Sequence, residues 1–435
     1  MGFAYAATPN TTVHGGYGIY YGPGNADAGL RQSQSFGFGF NASPVFASAN
    51  NGVTPAFNWD SGFPQNYVRP PSLTPTVANG SAVTMIGAGD GRPPYFQNWS
   101  VGVQHRPIPN LLIEADYVGV KGTRLGTALI QPNELNPSYL SLGNLLTAPV
   151  SSAAAQAAGI PIPYAGFTGS VAQALRPFPQ YLNITNLSNP NGDSTYHALH
   201  AKLERRVSRG LTGLAAYAWS KTLTDADIAA GGGPSGQTYY NRGLEKAVSD
   251  TDVPQALSIG FLYDLPFGAG HRFFAHGALS KLMAGWTLSN IDQYSAGVPI
   301  VLTANNTLPL FNSVLRPNVV SGRPLETNYS HFDPAVDRYI NPVAFTVPAS
   351  FTLGSAARSY GSLRAPWNLN ESAGVVKRTA IHERVTLIFR AEFFNLFNRV
   401  VYGAPASNVS LANFGAVSSQ SNAPRQGQMA LRLEF

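Results

Sequence analysis

At the end of the chain, Met429, Leu431, Leu433 and Phe435 fall on one face of an extended segment, and Gln428, Ala430, Arg432 and Glu434 fall on the other. A repeat of two is the period of a β-strand. The same alternation recurs upstream. Tyr95 to His105 sets Trp99, Val101 and Val103 against Asn98, Ser100 and Gln104. Leu111 to Gly119, Tyr196 to Val207, Leu211 to Leu223, Leu257 to Leu265 and Glu383 to Phe394 do likewise. Trp286 to Tyr294 reads as a strand with mixed faces. Phe3 to Ala7, Val13 to Tyr20 and Glu371 to Arg378 are weaker strand predictions. Most of these segments run near the roughly 9–11 residues that a tilted strand needs to cross a bilayer. A closing strand with an apolar face for lipid and a polar face for a wet lumen is what a membrane β-barrel requires. Taken alone, the last strand fits the edge of a soluble sandwich equally well.

The connections separate the two readings. Thr8 to Thr12, Arg106 to Asn110, Ser208 to Gly210 and Thr379 to His382 are short. Gly22 to Pro94, Lys121 to Thr195, Thr224 to Gln255, Gly297 to Asn370 and Asn398 to Arg425 are long. Short and long alternate, as periplasmic turns and external loops do in outer-membrane barrels. The fold predicted is all-β: an antiparallel transmembrane barrel with long external loops. The alternation is consistent if Pro266 to Gly285 is a periplasmic turn. The count is then about eleven strands. A single-chain barrel has an even number. Residues 1–435 are therefore expected to be one barrel domain forming the C-terminal part of a longer chain, and no signal peptide is recognisable at its start.

Composition agrees. Charged residues make up 11% of the chain, against about 25% in an average soluble domain, while mean hydropathy is close to zero. Average apolarity with little charge suits strands that face lipid on one side. The 24 Phe and 20 Tyr suit an aromatic girdle, and the 44 Gly and 33 Pro suit turns. Cysteine is absent, which excludes disulfides and thiolate chemistry. Net charge is +6, but Lys and Arg are scattered, with Arg205, Arg206 and Arg209 the densest group. A nucleic-acid interface needs a concentrated basic face, so no such partner is expected. The longest uncharged run, Leu135 to Leu175, is broken by Pro137, Pro149, Pro161 and Pro163. It reads as a loop with a helical turn near Ser151 to Ala158 and not as a membrane helix.

Catalytic and cofactor motifs are missing from the sequence, so no enzyme activity, cofactor or metal is expected. His197 and His200 sit in a strand at odd and even positions, and point to opposite faces. Gly87 to Gly91 is followed by Arg-Pro-Pro and not by a helix, so it cannot seat a phosphate on a helix N-terminus. Asp250 and Asp252 could hold Ca²⁺ in an external loop, but read more readily as a solvated turn.

Several segments carry a resemblance. They are Asn98-Trp-Ser-Val-Gly-Val-Gln104, Tyr117-Val-Gly-Val-Lys-Gly-Thr-Arg-Leu125, Tyr196 to Arg206, Ala216-Tyr-Ala-Trp-Ser-Lys-Thr-Leu223 and Leu265-Pro-Phe-Gly-Ala-Gly270. Arg316-Pro-Asn318, Asn341-Pro-Val-Ala-Phe345, Ala391 to Asn398 and the closing Ala430 to Phe435 complete the set. In this order the chain resembles the C-terminal barrel of Oar-like TonB-dependent outer-membrane receptors. Gln255-Ala256 stands where that family usually has His-Arg after Asp252-Val-Pro254. The resemblance implies the Gram-negative outer membrane, a barrel of about 22 strands, an unknown ligand held by external loops, and energy coupling to the TonB complex through a plug not recognisable here. Outer-membrane lipid is the other expected partner. Met429, Leu431, Leu433 and Phe435 are expected to form the stripe read by the barrel-assembly machinery. Energised uptake and a passive porin-like or structural barrel both remain open.

Overall fold

The computed structural model describes residues 1–22, 46–48, 50–64, 76, 78–85, 92–126, 132–186, 190–208, 210–226, 236–306, 310, 314–327, 332–382 and 384–435. Eleven strands follow one another as antiparallel neighbours in a single sheet. They are β1 (Gly2–Thr8), β2 (Thr11–Tyr21), β3 (Tyr95–Ile108), β4 (Leu111–Leu125), β5 (Gly192–Ser208) and β6 (Leu211–Thr224). Then come β7 (Gln255–Asp264), β8 (Trp286–Ser295), β9 (Asn368–His382), β10 (Val385–Phe394) and β11 (Gln426–Glu434). A two-residue strand, Ala247–Val248, adds to the end of β6. All eleven segments predicted from alternation are strands of this sheet.

Paired residues share a face, so the register decides how far the alternation extends across the sheet. Val13, Val103, Ala115, Ala201, Tyr217 and Leu257 form one row from β2 to β7. At the other end Leu387 pairs with Leu433, and Phe389 with Leu431. This face is the apolar, lipid-directed one. The opposite face carries His14, Gln104, Glu114, Asp116, Lys202 and Glu204, as a wet lumen permits. One position on the apolar face requires glycine. The Trp99 ring lies so close to Gly119 that an added Cβ would sit 2.2 Å from it.

β8 breaks the pattern, and the register shows how. Asp292 pairs with Ile259 on one side and Glu371 on the other, so two carboxylates lie on the lipid-directed face near its external end. Arg399 from the β10–β11 connection reaches Glu371 at 2.9 Å, and Asn290 donates to Asp292 at 3.0 Å. The mixed faces read from the sequence are real.

Each short turn lies beside a register shift: Ala6/Thr8, His105/Ile108, Arg205/Ser208 and Ala380/His382. A bulge beside a tight turn absorbs the strand twist. At the second of these the bulge also accommodates Pro107, whose nitrogen cannot join the ladder. The Pro266 to Gly285 connection contains a short helix, α1 (Ala278–Met283). It lies at the short-turn end, because Asp264 N donates to Gly210 O.

The strands outrun the bilayer. β4 continues past Gly119 to Leu125, and β9 runs from Asn368 to His382. β5 has 17 residues, which span about 56 Å and rise about 43 Å at a tilt near 40°, against an apolar band about 25 Å tall. The excess lies at the long-loop end. There both faces meet water, so alternation fades while backbone pairing continues. This is why the sequence placed these strand ends short.

Candidate functional site

Among the described residues, the four apolar core clusters lie in the long connections and not under the sheet. Leu135, Leu140, Leu146, Ala155 and Val171 from the 126–191 connection pack against Ala304, Leu310 and Leu315 from the 296–367 connection. Ile300, Leu302, Ile340, Phe345 and Leu363 pack against Phe414 from the 395–425 connection. Val83, in the 22–94 connection, packs on Ile184, where Val83–Met85 and Ile184–Asn186 form a parallel pair. The helical turn expected near Ser151 is a helix, Ala153–Ala157, with Ser152 Oγ accepting from Ala155 N. The connections therefore form one folded external cap. The five long connections carry no strand or helix periodicity that separates them from plain loops, and the cap was not expected.

Buried polar groups fasten the 225–254 connection into this cap. Gln237 Oε1 accepts from Arg316 N at 2.9 Å and Gly354 N at 3.1 Å, and its Nε2 donates to Gly354 O at 2.8 Å. Glu245 Oε1 accepts from Gln237 N at 2.9 Å, and Glu245 Oε2 pairs with Arg316 Nη2. Arg358, 1% exposed, donates to Glu245 O at 2.9 Å and to Thr224 O at 2.8 Å. Burial pushes the Arg316 guanidinium below its usual value, and Glu245 pulls it back up. Each buried charge thus has a partner, as desolvation demands.

Glu134 couples two connections. It is fully buried. Its Oε2 accepts from Tyr239 N, and its carbonyl accepts from the Tyr240 hydroxyl at 3.3 Å. Its Oε1 has no hydrogen bond. Burial raises the carboxyl from 4.5 to about 7. The Tyr239 N–H, Thr238 and Arg176 oppose this rise, and Glu245 adds to it. Glu134 and Arg176 flank the long uncharged run, so the run is closed by charges that feel one another. Above them Tyr139, Tyr239 and Tyr240 are exposed, the last two ring-to-edge at 5.6 Å.

A family model for the outer membrane beta barrel domain matches residues 1–428. The chain belongs to that family. This outer-membrane barrel therefore resides in the Gram-negative outer membrane. Among solved structures it is similar to the outer membrane transporter YddB from Escherichia coli, at 10% identity and a TM-score of 0.45, covering 99% of this chain and 39% of that one. It is also similar to the siderophore receptor PiuA from Acinetobacter baumannii, at 11% identity and a TM-score of 0.39, covering 100% and 35%. The ferric-catecholate import receptor Fiu from E. coli K12 gives 11% identity and a TM-score of 0.37, covering 100% and 34%. The barrel chain thus spans about two fifths or less of the length of these structures. Among curated proteins, none matches it.

The barrel places the sequence-predicted residues as follows. Met429, Leu431, Leu433 and Phe435 are exposed at the last strand, 73%, 68%, 51% and 96% respectively. Met429, Leu431 and Leu433 share the apolar face with Leu387 and Phe389. His197 is exposed on that face, within 2.8 Å of the Tyr117 hydroxyl, and His200 is on the other. Gly87 to Gly91 lies outside the described residues. Asp252 is a tether and not a solvated turn residue. Its Oδ1 accepts from Thr222 N at 2.6 Å, and its Oδ2 accepts from Arg364 at 2.6 Å. Both oxygens are committed, which removes the Ca²⁺ reading for that residue. The residues missed from sequence, Glu134, Glu245, Arg316, Arg358 and Arg364, all lie in the long connections. Nothing in their sequence context distinguishes them from solvated loop charges.

Proposed function

We propose that this barrel is a receptor for energised uptake of a large or scarce substrate, captured by the external cap and driven through the TonB complex. The observation that carries the reading is the folded cap itself. A passive pore gains nothing from external connections tied by buried ion pairs and apolar clusters, whereas a receptor needs an ordered surface. The exposed Tyr139, Tyr239 and Tyr240 fit such a surface, since aromatic side chains supply rigid contact area. The sequence resemblance supports the TonB part. On this reading Met429, Leu431, Leu433 and Phe435 meet outer-membrane lipid and present the stripe read by the barrel-assembly machinery.

The test is genetic and electrical. Cells with and without the gene are grown on ferric siderophores, oligosaccharides and peptides as limiting nutrients, each in TonB-positive and TonB-negative backgrounds. Uptake coupling predicts a growth defect on one nutrient class that loss of TonB reproduces and does not deepen. It also predicts no steady open conductance in planar bilayers. A TonB-independent defect with a steady conductance would establish the passive porin instead.

A further inference from the structure

We propose that the lumen-directed face of β2 and β4 carries a binding site for a divalent first-row transition-metal ion, with His14, Glu114 and Asp116 as its ligands. The site lies in the barrel wall, away from the cap, and does not depend on the uptake reading.

One donor atom from each of the three residues lies within 4.8 Å of the others. Two donors bound to a common ion at about 2.0–2.2 Å stand roughly 3.4 Å apart in a tetrahedral arrangement, so small rotations bring the three onto one centre. All three are partly buried. The sheet register brings them together. His14 pairs with Gly102 on β3, and Gly102 pairs with Asp116 on β4. Gly102 is the decisive intervening position. A Cβ there would lie 1.7 Å from Asp116 Oδ1 and 2.8 Å from His14 Nε2. Only the missing side chain lets these residues meet across β3, where they stand 2.8 Å apart. Glu114 follows two residues earlier on the same face of β4.

The surrounding charges favour a cation. Among the described residues no lysine or arginine pairs with Glu114 or Asp116. Lys202, opposite Glu114 in the register, is instead 3.1 Å from Glu204. With His14 neutral the group carries two negative charges in a partly buried wall. Gln104 Nε2 donates to Glu114 Oε1 at 3.1 Å, as outer partners do when they orient a metal-binding carboxylate. The donor set selects the class of ion. An imidazole with two carboxylates suits Zn²⁺, Co²⁺, Ni²⁺ or Fe²⁺, whereas Ca²⁺ and Mg²⁺ prefer oxygen alone. Three protein ligands leave positions open for water or an exchanging ligand.

The experiment titrates the protein, extracted in mild detergent from outer membranes, with Zn²⁺, Co²⁺ and Ca²⁺ by calorimetry. Co²⁺ binding is also followed by its visible spectrum. The expected result is one site for Zn²⁺ and Co²⁺, a Co²⁺ spectrum of low coordination number, and far weaker Ca²⁺ binding. His14→Gln and Asp116→Asn should each weaken Zn²⁺ binding by more than about 10–100-fold, the loss that removing an outer partner alone causes. His197→Gln, on the opposite face, should leave it unchanged. Heat-modifiable migration on gels establishes that each variant is folded. Gly102→Ala keeps every ligand but fills the gap between them, and should also weaken binding. The proposal is overturned if the folded wild type shows no Zn²⁺ site, if both folded ligand variants bind as wild type does, or if Ca²⁺ binds as tightly as Zn²⁺.

Discussion

Replacing Glu134 with glutamine should abolish a pH dependence built into the external cap. The carboxyl titrates near 7 in the folded cap, against 4.5 when solvated. A raised carboxylate value means that the closed cap holds the proton more tightly than the opened one. Closing is therefore fully favoured below about 4.5, loses ground as pH rises, and reaches its floor above about 7. The gap of about 2.5 pH units, at about 1.36 kcal/mol each, amounts to about 3.4 kcal/mol, or roughly 300-fold in the opening equilibrium. Glutamine does not titrate, so its cap should lose this part of the slope between pH 5 and pH 8 and keep only the part due to Glu326, whose carboxyl burial also raises. Its amide also places an N–H where Oε1 makes no hydrogen bond, which costs about 1–3 kcal/mol when that N–H is left unpaired. For this reason the slope with pH is the readout, and not the absolute stability. Amide hydrogen exchange of peptides within 135–175, corrected for the intrinsic rate, measures it. Those peptides contain Leu146 and Val171, which are buried in the cluster that Glu134 adjoins. A wild-type cap whose opening does not change between pH 5 and pH 8, or a Glu134→Gln cap with the same slope as wild type, would refute the reasoning.

Three further outcomes follow from the same structure. Arg316→Met leaves Glu245 buried without its cation and should loosen the cap by about 3–5 kcal/mol, seen as faster proteolytic nicking within 225–254 while the barrel stays heat-modifiable. Leu431→Arg should cost roughly 2–4 kcal/mol of barrel stability if it lies near the bilayer midplane and less toward the interface. Deleting Phe435 should lower the amount inserted, and quantitative gels of outer-membrane fractions check both. Gly119→Val drives a side chain into the Trp99 ring and should displace it, which tryptophan fluorescence and the yield of folded barrel will register.

The strands were legible because burial on one face imposes a period of two, and that period survives in Trp99, Val101 and Val103 or in Leu387, Phe389 and Ala391 without knowledge of any partner. The strand ends were less legible, since Gly122 and Thr123 sit above the lipid where neither face has to be apolar. The cap was not legible at all. Arg358 bonds Thr224 across 134 residues and Arg316 pairs with Glu245 across 71. A buried arginine in a loop has the same letter as a solvated one. Asp252 shows the consequence: its neighbours suggested a turn, while its actual partner is Arg364. His14 and Asp116 meet 102 residues apart, through a register that becomes visible only once β3 is laid between them.

The cap also imposes an order of events in time. Phe414 belongs to the connection just before the last strand, yet it packs in one cluster with Ile340 and Leu363. The 296–367 connection can therefore reach its final packing only after the last hairpin has carried residues 395–425 across to the outside. Until then its apolar side chains face water, and the outer surface stays open to proteases. Closure of the cap thus needs both connections on the outer side, and resistance of the 296–367 segment to external protease becomes a clock for the delivery of residues 395–425.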